Sequence, residues 1–138
     1  MAAPRCTFCE IIAENVSAHV VLDDEVALAF LDHRPVFKGH VLLAPRAHVE
    51  TLLDVPDELL EPLFGRARAL AAALERGLEA DGTFVAINNR ISQSVPHLHV
   101  HIVPRRRKDG LRGFFWPRTK YAGDEEMRIY AERIRAEL

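Results

Sequence analysis

From His97 to Val103 the chain alternates imidazole with aliphatic side chains, His-Leu-His-Val-His-Ile-Val, and no other stretch constrains the fold as much. In extended backbone, successive side chains project to opposite faces. The pattern predicts a strand whose Leu98, Val100 and Ile102 enter a core, while His97, His99 and His101 line the other face. Histidine is a poor strand former beside Val or Ile, so folding alone gives little reason for such a row. Burying three polar rings side by side also demands several hydrogen-bond partners. A solvated sheet face is the bland alternative, and the strongly apolar opposite face weighs against it. A reactive or metal-binding constellation on a rigid element fits better.

The remaining elements follow from periodicity and punctuation. Thr7-Phe8-Cys9-Glu10 fits a capping box, so a short helix is expected through Ile11, Ile12 and Ala13. Val20 to Leu22 and Val26 to Leu31 read as strands around the acidic turn Asp23-Asp24-Glu25, and Gly39 to Pro45 as a third. Pro56 opens a long amphipathic helix carrying Leu59, Leu63, Ala67, Leu70 and Leu74 at helical spacing, with Gly82 ending it. Phe84 to Asn88 is expected as the fourth strand and His97 to Val103 as the fifth, stopped by Pro104. A last helix is expected from Asp124 to Leu138, with Met127, Tyr130, Ile134 and Leu138 on one side. Strands in runs with helices between them predict an α+β class with a mainly antiparallel five-stranded sheet, one long helix and one C-terminal helix.

A length of 138 residues suits one domain, and 49% apolar with 28% charged residues is ordinary for a globular chain. A formal net charge of -2 argues against nucleic-acid or membrane-surface binding. The N-terminus has no apolar signal-peptide run and no stretch reaches membrane-spanning length, so a cytoplasmic location is expected. Two cysteines exclude a disulfide framework.

A neutral imidazole is a good nucleophile toward phosphorus and also serves as acid or base. Alternate residues on one strand spread the row over about 13 Å, which argues against a single ion bound by the triad alone. The loop from Asn88 to Ser94, Asn-Asn-Arg-Ile-Ser-Gln-Ser, leads directly into the row. Its amides and hydroxyls suit a phosphoryl group and the charge that develops on it.

The motif His97-Leu98-His99-Val100-His101-Ile102-Val103 resembles that of the histidine triad (HIT) family of nucleotide hydrolases and transferases. Phe30-Leu31-Asp32 resembles the family's nucleoside-pocket block, and Pro35 through His48 its second characteristic block. The resemblance covers roughly residues 6–104, with 105–138 a less familiar extension of one HIT domain spanning 1–138. It implies that His99 attacks the α-phosphorus of a purine nucleotide and becomes transiently nucleotidylated. It further implies that His97, His101 and His40 orient and polarise that centre. Asn88, Gln93 and Ser94 would hold phosphate and leaving group, Asp32 the ribose hydroxyls, and Leu22, Phe30 and His33 would flank the base. Family members are typically homodimers. The substrate would be a nucleoside phosphoramidate or a dinucleoside polyphosphate, without an organic cofactor. A non-catalytic, zinc-stabilised nucleotide-binding interaction protein is the rival reading. One departure stands out: Ser92 occupies a place where many members have Gly, which opens the question of whether Asn88 or Asn89 takes the amide role.

Cys6-Thr7-Phe8-Cys9 reads as a redox pair, plain thiols or half a zinc site. The resemblance implies the last, with Cys6, Cys9, His48 and His97 closing a structural zinc site. The basic run Arg105 to Lys108 is either solvated or attracts a polyphosphate leaving group. Phe114-Phe115-Trp116 demands a cover from the C-terminal segment or a partner subunit.

Overall fold

The expected strands assemble into one antiparallel sheet in the computed structural model, which describes residues 6–112 and 118–138. The strands are β1 (Val20–Asp23), β2 (Ala27–Leu31), β3 (Val41–Pro45), β4 (Gly82–Ala86) and β5 (Val100–Arg105), in spatial order β1-β2-β3-β5-β4. The helices are α1 (Thr7–Ile12), α2 (Asp57–Gly77) and α3 (Asp124–Arg135). The fold is α+β, as expected. None of the helices among the described residues is long and apolar enough to cross a membrane.

Both sheet faces are covered near the centre. On one face Leu63, Ala67, Leu70 and Leu74 of α2 pack on Ala27, Ala29, Val41, Leu43, Leu98, Val100 and Ile102. Full burial of each leucine contributes about 1.5–3 kcal/mol. On the other face Phe8 of α1 packs on Leu28, Phe30, Leu42 and Ala44. That second face carries the histidines. Asp24 closes the β1–β2 turn by accepting from the Val26 and Ala27 N–H groups, and its other oxygen receives Arg66 from α2.

Several boundaries differ from expectation for identifiable reasons. The cap of α1 is Cys6 rather than Thr7, its Sγ accepting the Cys9 N–H at 3.4 Å. Gly82 starts β4 instead of ending α2; the helix stops at Leu78, and Glu79 takes the left-handed conformation (φ 53°). The Ala80 N–H then bonds back to the Glu75 carbonyl at 3.1 Å, and the Arg106 guanidinium satisfies the Leu78 carbonyl at 2.6 Å. Pro104 does not stop β5. Arg105 bonds toward β4 through Asp81 N–H, so the Pro104 nitrogen faces the opposite side, where β3 has already ended. The ladder begins only at Val100, because Leu98 N–H bonds the Val49 carbonyl at 2.7 Å. The alternation nonetheless holds: Leu98, Val100 and Ile102 are all 0% exposed. The side of α3 bearing Met127, Tyr130 and Ile134 is exposed in the single chain. Phe114 to Trp116 lie outside the described residues.

Gly39 sets the approach to His40 with φ 101°, and a Cβ there would run into the Leu78 side chain. Gly39→Ala is expected to cost about 1–2 kcal/mol, read as a lower midpoint in urea with an unchanged slope.

Candidate active site and metal centre

His99, the middle of the row, is 5% exposed and sits under the edge of Phe8, ring centroids 4.8 Å apart at 86°. Its Nδ1 lies 2.8 Å from the His97 carbonyl oxygen. A carbonyl only accepts, so Nδ1 carries the proton and Nε2 keeps its lone pair. Burial pulls the His99 pKa below the usual imidazole value, so the ring is neutral near pH 7. The result is a held, unprotonated base.

His101 belongs to a second chain of bonds. The Val36 N–H donates to His40 Nδ1 at 3.1 Å, which places the His40 proton on Nε2, 3.0 Å from His101 Nδ1. His40 therefore donates to His101, and His101 retains a proton on its own Nε2. Asp32 approaches His40 Nδ1 to 3.6 Å, yet this is no ion pair, since that nitrogen accepts a backbone N–H and burial keeps His40 neutral. The same bonding argues against a metal among Asp32, His40 and His101. An ion on His40 Nε2 would require a proton on Nδ1, directed at another donor. Burial, with His99 and His40 nearby, pushes the His101 pKa down to about 4 from 6.5.

A pH dependence of stability follows. The unfolded imidazole takes up its proton near 6.5 while the folded one resists until about 4, so stability is complete above 6.5 and declines as pH falls between these values. Thermal midpoints from pH 7.5 to 4.5 are expected to fall less steeply for His101→Gln than for the parent.

His97 faces away from this chain. It is 0% exposed, and its Nε2 donates to the Pro45 carbonyl at 2.8 Å, leaving Nδ1 unprotonated. That nitrogen lies 3.4 Å from Cys6 Sγ, 3.5 Å from Cys9 Sγ and 3.2 Å from His48 Nδ1, and Cys9 Sγ lies 3.2 Å from His48 Nδ1. Zn–N bonds of about 2.0–2.1 Å and Zn–S bonds of about 2.3 Å on a tetrahedron separate ligand atoms by about 3.3–3.8 Å. The four side chains thus fit one tetrahedral ion. Burial and the neighbouring Cys6 push the Cys9 thiol up to about 11, a shift that a bound cation reverses.

The remaining expected residues fall into separate places. Asp32, Asn88, His40 and His101 line one cavity of about 610 Å³ together with Arg34, Ser92, Phe84 and Leu111. Asn88 and not Asn89 reaches it, because the Asn89 amide oxygen accepts from Leu52 N–H at 2.9 Å. Gln93 ties the loop down, donating to the Glu50 carbonyl at 2.6 Å and accepting from Arg90 N–H at 2.9 Å. Ser94 and His33 are exposed. Phe30 is buried against Phe8, centroids 5.3 Å apart, and Leu22 packs with the α2-side core, on the opposite face from the histidines. Within the basic run, Arg105 grips Asp109 and the Leu111 carbonyl, holding the Asp109 carboxyl far below the usual range.

Phe8 is the site residue that reading the sequence missed. It touches the rings of His97, His99 and Phe30, and it sits between the two cysteines. That position was the available signal: anything that fixes Cys6 and Cys9 also fixes Phe8.

The chain is similar in sequence and in fold to known proteins. A family model described as "HIT domain" matches residues 13–108. Among curated relatives, "Protein hit" of Bacillus subtilis is 39% identical over 116 residues, spanning 83% of this chain and 80% of that protein. The adenosine 5'-monophosphoramidase of Saccharomyces cerevisiae is 33% identical, spanning 97% of this chain and 87% of its own. A crystal structure of a HIT family member from Bacillus subtilis superposes with a TM-score of 0.87 at 34% identity, covering 98% of each chain. A zinc-bound histidine triad family protein from Mycobacterium smegmatis gives a TM-score of 0.74 at 33% identity, covering 96% of this chain and 97% of that one.

Proposed function

The chain belongs to the HIT family, and on that premise we propose that it is an enzyme cleaving a purine nucleotide at its α-phosphorus through a nucleotidyl-His99 intermediate. The observation that carries this reading is the tautomer of His99. Its Nδ1–H is engaged by the His97 carbonyl, so Nε2 is the basic nitrogen left for attack. As the Nε2–phosphorus bond forms, the bond to the leaving group breaks and that group takes a proton from a neighbouring acid. The Nε2–H of His101, held by His40, suits a phosphoryl oxygen or that proton transfer. Water then attacks phosphorus, His99 leaves, and the nucleoside monophosphate departs. In a phosphorylase, phosphate would take the place of water.

A phosphoramidate substrate is favoured over a dinucleoside polyphosphate. One relative is named an adenosine 5'-monophosphoramidase, and Arg105, expected to attract polyphosphate, is engaged by Asp109. Asp32 and Asn88 are the substrate contacts best supported by their shared cavity. Cys6, Cys9, His48 and His97 would hold zinc, and bound zinc would supply a cross-link between α1, the loop after β3 and the entry to β5. The exposed apolar side of α3 supports a homodimer, and a cytoplasmic location accords with the two thiols.

The test is nucleotide release from a panel of adenosine and guanosine phosphoramidates and diadenosine polyphosphates, with and without added phosphate. Release of AMP or GMP from the phosphoramidates is expected. Nucleotide binding without release from any member would favour the interaction-protein reading.

A further inference from the structure

Ser92 stands in the left-handed region, φ 60°, where glycine is at home and a Cβ is strained. Nothing in its packing accounts for a side chain there. The residue is exposed, and its backbone contribution, a carbonyl accepting from Asn88 Nδ2 at 3.4 Å, would be made equally well by glycine. Ser92 lines the cavity shared with His40, His101, Asn88 and Asp32, and what a side chain adds at this position is a hydroxyl.

The other polar groups of the loop are accounted for. Gln93 is tied to Glu50 and Arg90 and the Asn89 amide oxygen to Leu52, and neither residue is among those lining the cavity. Around the cavity, donors predominate: the Nε2–H of His101, the Asn88 amide and the Arg34 side chain. The Asp32 carboxylate also faces it, with one oxygen engaged by the Arg34 backbone N–H at 2.9 Å. A hydroxyl added to convergent donors suits an anionic oxygen.

We propose that the Ser92 hydroxyl is a substrate contact, donating a hydrogen bond to a phosphoryl oxygen of the nucleotide held beside His101. This rests on the nucleotide-cleaving reading above and adds to it a contact that glycine could not supply. Backbone strain at Ser92 is retained because the residue that would relieve it lacks the donor.

Three variants separate contact from scaffold. Ser92→Gly relaxes the backbone and deletes the hydroxyl, Ser92→Ala deletes it without relaxing the backbone, and Ser92→Asn tolerates the left-handed region and restores an N–H donor. Thermal midpoint, kcat/KM on an adenosine phosphoramidate, and affinities for AMP and adenosine would be measured for each. The proposal expects Ser92→Gly to melt higher than the parent yet lose about tenfold or more in kcat/KM. AMP affinity would fall with it and adenosine affinity would not, and Ser92→Asn would recover part of both losses. A Ser92→Gly enzyme at or above parental kcat/KM, with His99→Asn inactive, would overturn the contact and leave the nucleotidyl-histidine reading standing. Absence of turnover in the parent, together with equal AMP affinities in parent and Ser92→Gly, would overturn both.

Discussion

His99→Asn is expected to lower turnover by about 10⁴-fold or more while leaving nucleotide affinity within a few-fold of the parent. The asymmetry follows from how the ring is held. The asparagine amide can still donate toward the His97 carbonyl that accepts from His99 Nδ1, and the strand keeps its aliphatic face. What disappears is the Nε2 lone pair, the group that would form the covalent bond. His101 cannot replace it, because its Nδ1 accepts from His40 and its Nε2 bears the proton. Steady-state release and calorimetric AMP binding on the same preparation check this. A variant that turns over at the parental rate would place the chemistry elsewhere.

Disrupting the proposed zinc site is expected to have the next largest effect. Cys9→Ser should reduce zinc from about one ion per chain to near none and lower the thermal midpoint by about 10 °C or more. The ligands come from three separate places: α1 supplies Cys9 and its cap Cys6, the loop after β3 supplies His48, and the approach to β5 supplies His97. Without an ion, the close approach of two thiols and two imidazole nitrogens loses its cause, and only Phe8 and its neighbours hold α1. Since Phe8 lies on the His99 ring, turnover should also decline, though far less than in His99→Asn. Elemental analysis of protein prepared without a histidine tag, with melting curves before and after chelation, tests this. Metal-free protein as purified, with a midpoint indifferent to added zinc, would contradict it.

The sequence made much of this architecture legible because its strongest signals are periodic. Alternation at Leu98, Val100 and Ile102 put the histidines on one face, and the spacing of Leu63, Ala67, Leu70 and Leu74 gave the covering helix. Element ends were less legible, since they depend on neighbours distant in sequence. Pro104 stays in β5 only because β3 has ended beside it, and α2 ends before a left-handed Glu79, with Arg106 from the end of β5 satisfying the Leu78 carbonyl. That Asn88 rather than Asn89 lines the cavity likewise depends on Leu52, 37 positions away from Asn89, whose N–H holds the Asn89 amide oxygen. Leu22 was expected beside the base, but strand parity turns it toward the α2 side. The role of Phe8 was hidden because an apolar residue in a short helix carries no local mark of what it covers. Residues whose chemistry repeats at strand spacing could be placed from the sequence; those defined by a tertiary partner could not.

The most direct test of the central claim is the intermediate itself. Parent enzyme mixed with an adenosine phosphoramidate, quenched during turnover under conditions that preserve phosphorus–nitrogen bonds, would be analysed by intact mass and peptide mapping. The account predicts a transient adenylyl adduct on the peptide bearing His99, absent from His99→Asn. Rapid turnover with no adduct at any time point, or an adduct confined to another residue, would contradict it.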